Sequence, residues 1–213
     1  MQLLAFGKRE EIPNSSHVCQ VYTRADEVAQ LAAGLFSAGP FPHRDRCVYV
    51  GPATIIAQIE VQLRQLQIDV ATYKQLGQFV FVDDRAEYLS QNRFDHFSLL
   101  SNHLNLVTAA LRDEYVGVRL GMEMTWLADN VATPAQILKY EAMCDAVFTF
   151  QRQPIVAIAQ YSNVRLGEQI AGEMMKLHPL AYVGRQLKRN PSYLNSEQYF
   201  LNILRATRKP NDR

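Results

Sequence analysis

Glycine is scarce where a nucleotide-binding chain would need it. Only 10 of the 213 residues are glycine, and the junction "HVCQVYTRADEVAQL" at 17–31, which reads as a buried strand running into a helix, holds neither glycine nor lysine. A phosphate loop needs glycines that let backbone N–H groups approach phosphate, a lysine for the terminal phosphates and a hydroxyl for magnesium. This junction offers Thr23 and Arg24 instead, which argues against ATP hydrolysis there. The free N–H groups and dipole of a helix start leave anion binding open.

Other shortages narrow the class further. There are three cysteines, Cys19, Cys47 and Cys144, odd in number, widely spaced and each inside an apolar segment, so they read as reduced core thiols rather than a disulfide framework. No metal-ligand spacing of cysteine and histidine occurs, and no metal site is expected. Apolar runs such as "PIVAIA" at 154–159 fall short of the roughly 20 residues that span a bilayer. The start "MQLLAFGKREE" has no basic front, long apolar stretch or small-residue cleavage site, so a cytoplasmic location is expected. Twenty-two Lys and Arg against 21 Asp and Glu leave no global field to steer the chain onto nucleic acid or an anionic membrane, so any such contact would have to be local.

With 48% hydrophobic residues the chain can bury a sizeable core. Short apolar runs alternate with longer helical ones. "HVCQVY" (17–22), "CVYVG" (47–51), "DVATY" (69–73), "FVFVD" (79–83), "VGVRLGMEM" (116–124) and "PIVAIAQY" (154–161) read as strands. Several are near-continuous in apolar residues, as in strands covered on both faces.

Helices are expected between them. The first, at 23–39, has Thr23 and Asp26 as a variant capping box and stops at Gly39-Pro40. Others follow at 54–67, 133–150, where Thr133 caps and Pro134 opens the first turn, and 164–178. The helix at 94–114 sets Phe97, Leu100, Leu104, Val107 and Leu111 on one face. This order predicts a three-layer α/β/α sandwich with a mostly parallel sheet, spanning 1–195 as one domain, followed by an amphipathic helix and basic tail at 196–213.

Candidate site residues follow from strand ends. His17 and Cys19 lie two apart on a strand and share a face. Glu123 closes a strand where nucleotide hydrolases keep a carboxylate, and Trp126 follows it; a pocket mouth and simple packing of Trp126 stay equally open. Gln160 and Tyr161 end another strand and are expected to face the same crevice. His178 closes a helix before Pro179, where structure alone can explain it.

Taken in order, "HVCQVY", "LFSAGPFPHRDRCVYVG", "VRLGMEMTW", "KYEAMC", "IAQY", "LHP" and "NPSY" resemble the MEDS family of sensory domains over roughly residues 15–193. The resemblance implies a diverged KaiC- or RecA-like P-loop fold without the phosphate loop, sensing small molecules and acting through a regulator. It points to His17, Cys19, Tyr22, Glu123, Trp126, Tyr140, Glu141, Gln160, Tyr161 and His178 as ligand-facing. "IAQYS" departs from the pattern, with Ala159 where members often carry cysteine and Ser162 where an acid is common. No helix-turn-helix or kinase module is evident, so a regulatory protein partner or self-association is expected to carry the output. The cofactor stays unassigned. Two other functions remain: an enzyme using His17, Glu123 or Glu141 as acid or base, and an oligomeric scaffold docking through Tyr199, Phe200, Leu201, Ile203 and Leu204.

Overall fold

A sheet buried on both faces requires strands that offer apolar side chains to two cores at once, and the middle of this chain supplies them. The computed structural model describes residues 1–39, 44–83, 94–129, 132–150 and 154–207. β1 (Gln2–Ala5) and β2 (Lys8–Glu11) form a separate antiparallel hairpin. β3 (Ser16–Tyr22), β4 (Arg46–Gly51), β5 (Phe79–Asp83), β6 (Val118–Glu123), β7 (Ile155–Ser162), β8 (Leu180–Val183) and β9 (Gln186–Arg189) make one sheet of order β5-β4-β6-β7-β3-β8-β9. All its pairings are parallel except β8 with β9.

The helices cover it from both sides. α1 (Ala25–Ser37), α2 (Ala53–Gln65) and α3 (Val70–Gln75) pack on one face, with Val18, Cys47, Tyr49, Val156 and Ile158 beneath them. α4 (His96–Arg112), α5 (Pro134–Asp145), α6 (Asn163–Leu166) and α7 (Glu168–Met175) cover the other, over Cys19, Val48, Leu120, Ala157 and Tyr161. A wider helical turn, Ala146–Phe150, prolongs α5, and α8 (Ser196–Thr207) lies against it. The expected three-layer sandwich with a mostly parallel sheet is what forms.

Several local expectations give way to identifiable forces. "DVATY" is helical because Asp69 caps it, accepting from the Thr72 N–H at 3.1 Å and the Thr72 hydroxyl at 2.7 Å. A short β-branched run carries no period of its own to resist that. Thr23 does not cap α1: the N-cap is Arg24, and no side chain bonds the first turn from that position. The inward face of α4 is Leu99, Leu100, His103, Val107 and Ala110, while Phe97 and Leu111 are exposed. β1, β2, β8 and β9 were not expected. The first pair turns through Phe6 and Gly7, both at positive φ, a conformation that matches the twist of a two-residue hairpin. The helix stop at Pro40 and the basic end beyond residue 207 lie outside the described residues.

A buried arginine ties the hairpin to the sandwich. Arg119 of β6 is fully buried, bonds Asp45 at 2.8 Å, and donates to the carbonyls of Leu35 on α1 and Gln2 on β1. Gly34 of α1 lets β1 come close, since a Cβ there would sit 1.7 Å from the Leu4 carbonyl oxygen. Gly172, inside α7, would meet nothing within 4 Å. Gly34→Ala is therefore expected to destabilise the protein by about 1–3 kcal/mol or more, because the clash is with backbone. Gly172→Ala should stabilise it by about 0.5–1 kcal/mol. Urea unfolding of both variants checks the pair, and equal effects would refute the packing described for Gly34.

Candidate functional site

Successive side chains of a strand point to opposite faces, and this sorts the expected site residues into two groups. Tyr22, Glu123 and Gln160 lie on the α1 side; His17, Cys19 and Tyr161 lie on the side of α5 and α7. Gln160 and Tyr161 therefore do not share a crevice, contrary to expectation. Trp126 is buried in the second core against Phe94, with ring centroids 5.5 Å apart, so it packs a helix layer on the sheet.

On the α1 side the carboxyl ends of β3, β6 and β7 meet. The Tyr22 hydroxyl donates to Glu123 Oε1 at 2.5 Å, the Thr125 N–H donates to Oε2 at 3.0 Å, and the Thr125 hydroxyl also bonds the carboxylate. Burial, then the Glu123 charge, pushes the Tyr22 phenol well above its ordinary range. Deeper in, Gln160 donates to Gln20 at 2.6 Å and to the Val28 carbonyl at 3.1 Å, and accepts from Tyr49 at 2.8 Å. Its polar atoms are spent holding α1 and β4 to the sheet. The start of α1 is likewise occupied: Arg24 grips Asp26 at 2.8 and 2.9 Å, and Glu27 accepts from the Thr23 N–H at 3.4 Å. Its own acids take the place of the anion that a bare helix start would attract.

The other side holds a sealed polar cluster. His17 comes from β3, Glu141 from α5 and His178 from the segment between α7 and β8. His17 Nε2 lies 3.4 Å from Glu141 Oε2, His178 Nε2 lies 3.6 Å from the same oxygen, and the imidazole centroids are 3.9 Å apart. All three residues are buried to within 1%. His178 Nδ1 lies 2.9 Å from the Met174 carbonyl, so it carries the proton and leaves Nε2 a lone pair aimed at Glu141. Neither ring nitrogen of His17 nor either oxygen of Glu141 has a partner at good hydrogen-bond geometry, though the Tyr161 hydroxyl comes near enough to steady the Glu141 charge. Cys19, Cys144 and Tyr161 surround Glu141 closely enough to feel its charge.

Desolvation sets the electrostatics of this interior. It lowers His17 and His178 to about 3 and His103 to about 4, and raises Glu141, Cys19, Cys144 and Tyr161. Tyr140 reaches His103 Nδ1 at 3.4 Å behind the cluster. A surface groove of about 760 Å³ between α1 and α2, lined by Arg24, Ala29, Gln58 and Val61, lies on the opposite face of the sheet.

The sequence model of MEDS, the "MEthanogen/methylotroph, DcmR Sensory domain", matches residues 16–179. This chain belongs to the MEDS family. No curated protein matches it. The matched stretch of this MEDS domain opens on β3 and closes just after His178, so it contains both polar groups and excludes β8, β9 and α8.

Sequence reasoning missed several residues that these groups depend on. His103 takes an inward position of α4 and was legible from its spacing beside Leu99, Leu100 and Val107. Thr125 gave no signal beyond its nearness to Glu123. Asp145, one turn beyond Glu141, accepts from the Tyr193 hydroxyl at 2.7 Å, a contact between distant segments.

Burial, the leading cause, pushes the Asp145 carboxyl up to about 6. Between the ordinary carboxylate range and that value the folded protein holds a proton the unfolded chain has released, so stability falls as pH rises through this window. Asp145→Asn removes the titration. The stability of Asp145→Asn relative to wild type is expected to rise by on the order of 2–3 kcal/mol between pH 4 and pH 7. Chemical denaturation at both pH values reads this, and a pH-independent difference would show that Asp145 ionises freely.

Proposed function

We propose that this MEDS domain is a small-molecule sensory module that acts in signal transduction or transcription control through a partner protein, without hydrolysing ATP. The observation that carries the reading is Glu141. Its carboxyl group is sealed in the core without a well-formed hydrogen bond, on the same helix that holds Tyr193 and the C-terminal segment one turn further on. A core kept for stability alone satisfies such groups. A core with uncommitted donors and acceptors offers specific recognition to a small polar guest.

In this reading His17, Cys19, Tyr161 and His178, with Tyr140 and Glu141 from α5, face the ligand. The ligand is a small organic molecule such as a short hydrocarbon derivative, consistent with a compact and desolvated site. Tyr22 and Glu123 instead close the old phosphate end of the sheet. β3 and β6 are separated by β7 alone, so the strand ends that would carry a phosphate loop and a catalytic acid stand one strand apart. That arrangement supports a diverged KaiC- or RecA-like ancestry. The engagement of Glu123 by Tyr22 and Thr125 supports loss of hydrolysis, since a committed carboxylate does not hold magnesium or activate water.

Ligand occupancy would bias α5 between two positions, and α8 would report them. α8 leaves Leu201 and Leu204 42% and 52% exposed, which supports a docking role toward a partner or a second copy. Deleting residues 196–213 is expected to reduce any homo-oligomer to single chains by solution mass. An unchanged oligomer would remove α8 from the assembly.

A thermal-shift screen of short alcohols, aldehydes, carboxylic acids and halogenated alkanes tests the sensory reading. At least one compound is expected to raise the melting temperature of the wild type by a few degrees when present at about 100 times its Kd. Glu141→Gln should shift this response, whereas Glu123→Gln should leave it in place. No response to any compound of the panel would count against the sensor.

A further inference from the structure

Three side chains of metal-ligating type converge in the core from three separate elements. Among the described residues, His17, Glu141 and His178 form a group in which one donor atom from each lies within 4.8 Å of the others. A four-coordinate ion held at about 2.0–2.1 Å by nitrogen and oxygen sets its donors about 3.3–3.4 Å apart. The two distances to Glu141 Oε2, 3.4 and 3.6 Å, already approach that value.

Proton placement makes the case sharper. His178 Nδ1 faces a carbonyl and carries the ring's one proton, so a lone pair on Nε2 confronts a carboxyl oxygen. Two acceptors facing each other in a desolvated core repel unless something positive stands between them. His17 brings a second ring to the same oxygen with both of its nitrogens lacking hydrogen bonds. A proton on Glu141 can satisfy one of these nitrogens. A cation satisfies all three residues at once.

The Met174 carbonyl also does for His178 what an outer partner does for a metal-bound histidine, fixing the tautomer and aiming Nε2 inward. Two imidazoles and one carboxylate suit borderline ions, zinc, cobalt and ferrous iron, over magnesium or calcium, which take oxygen ligands. Cys19 and Cys144 beside Glu141 make the surroundings softer still.

We propose that His17, Glu141 and His178 bind a single divalent first-row transition-metal ion in the core of the domain. The Glu141 carboxylate offsets part of the charge of the ion, and the two neutral imidazoles complete the donor set. Because every ligand is sealed, the ion enters during folding or by local opening, and exchange is slow. The inference stands apart from the sensory reading, since a structural ion would satisfy the same atoms.

The test uses untagged full-length protein, unfolded, stripped of metal, and refolded with zinc or cobalt before desalting. About one equivalent of metal is expected to remain, with visible cobalt bands of a low-coordinate site and a higher melting temperature than in chelator. Nitrogen shifts of His17 and His178 in the NMR spectrum should move on zinc loading. Glu141→Gln and His178→Gln, each checked for folding by circular dichroism, should lose at least about tenfold in cobalt affinity.

Wild-type protein that keeps less than about a tenth of an equivalent overturns the proposal. So does a folded Glu141→Gln that binds cobalt as tightly as wild type, or zinc loading that leaves both histidine spectra unmoved. Should the variants not fold, the wild-type metal content and histidine shifts decide alone. Failure here with a persisting response to organic compounds sinks the metal site and leaves the sensor standing. Metal retention without any organic response does the reverse.

Discussion

Everything in this domain follows from a parallel sheet that is dry on both faces. Such a sheet gives each strand two destinations, and period-two alternation decides which side chain goes where. On β3, Val18 and Tyr22 go to one core and Cys19 to the other; on β7 the same division separates Gln160 from Tyr161. A polar residue on such a strand cannot turn to water. It must be bonded, neutralised or supplied with a guest, and the domain treats its two polar groups in different ways.

The group on the α1 side is fully engaged. Gln160 bonds Gln20, Val28 and Tyr49, and Glu123 bonds Tyr22 and Thr125, so each buried polar group there has a partner in the protein. These contacts do structural work, clamping α1 and β4 to the centre of the sheet. The group beneath α5 is the opposite case. His17, Glu141 and His178 are equally buried, yet they meet through acceptor-rich edges rather than hydrogen bonds. Since an unmet buried polar group costs about 1–3 kcal/mol, a core that keeps several together is spending stability on something other than the fold.

The architecture was legible because its signal is long and redundant. Strands with apolar side chains on both faces, separated by capped amphipathic helices, admit few arrangements, and Thr133 with Pro134 marks the start of α5 as expected from sequence, with Gln136 completing the capping box. The expected set of site residues contained His17, Glu141 and His178, but not their convergence. Spacing along one chain cannot show that β3, α5 and the α7–β8 segment meet at one carboxylate oxygen. Conversely, adjacency along β7 suggested that Gln160 and Tyr161 act together, and the pleat sends them apart. Short elements were the least legible, since "DVATY" took the conformation that the Asp69 side chain could cap. Asp145 was invisible for the same reason as the convergence: its partner Tyr193 lies in a segment that only the fold brings near.

α5 links the interior to the surface by simple geometry. Glu141 and Asp145 are four residues apart and so lie on one face of the helix, the first turned to the histidines, the second to Tyr193. The Glu141 charge contributes to holding the Asp145 carboxyl above its usual range, so the two acids do not ionise independently. Placing a negative charge on Glu141 favours the protonated form of Asp145. Placing a positive guest beside Glu141 relieves that pressure and favours the ion. Asp145 accepts the Tyr193 hydroxyl in either state, but a carboxylate holds such a donor more tightly than a neutral acid does. A change of charge on Glu141 would therefore alter the strength of the bond that fastens the C-terminal segment to α5.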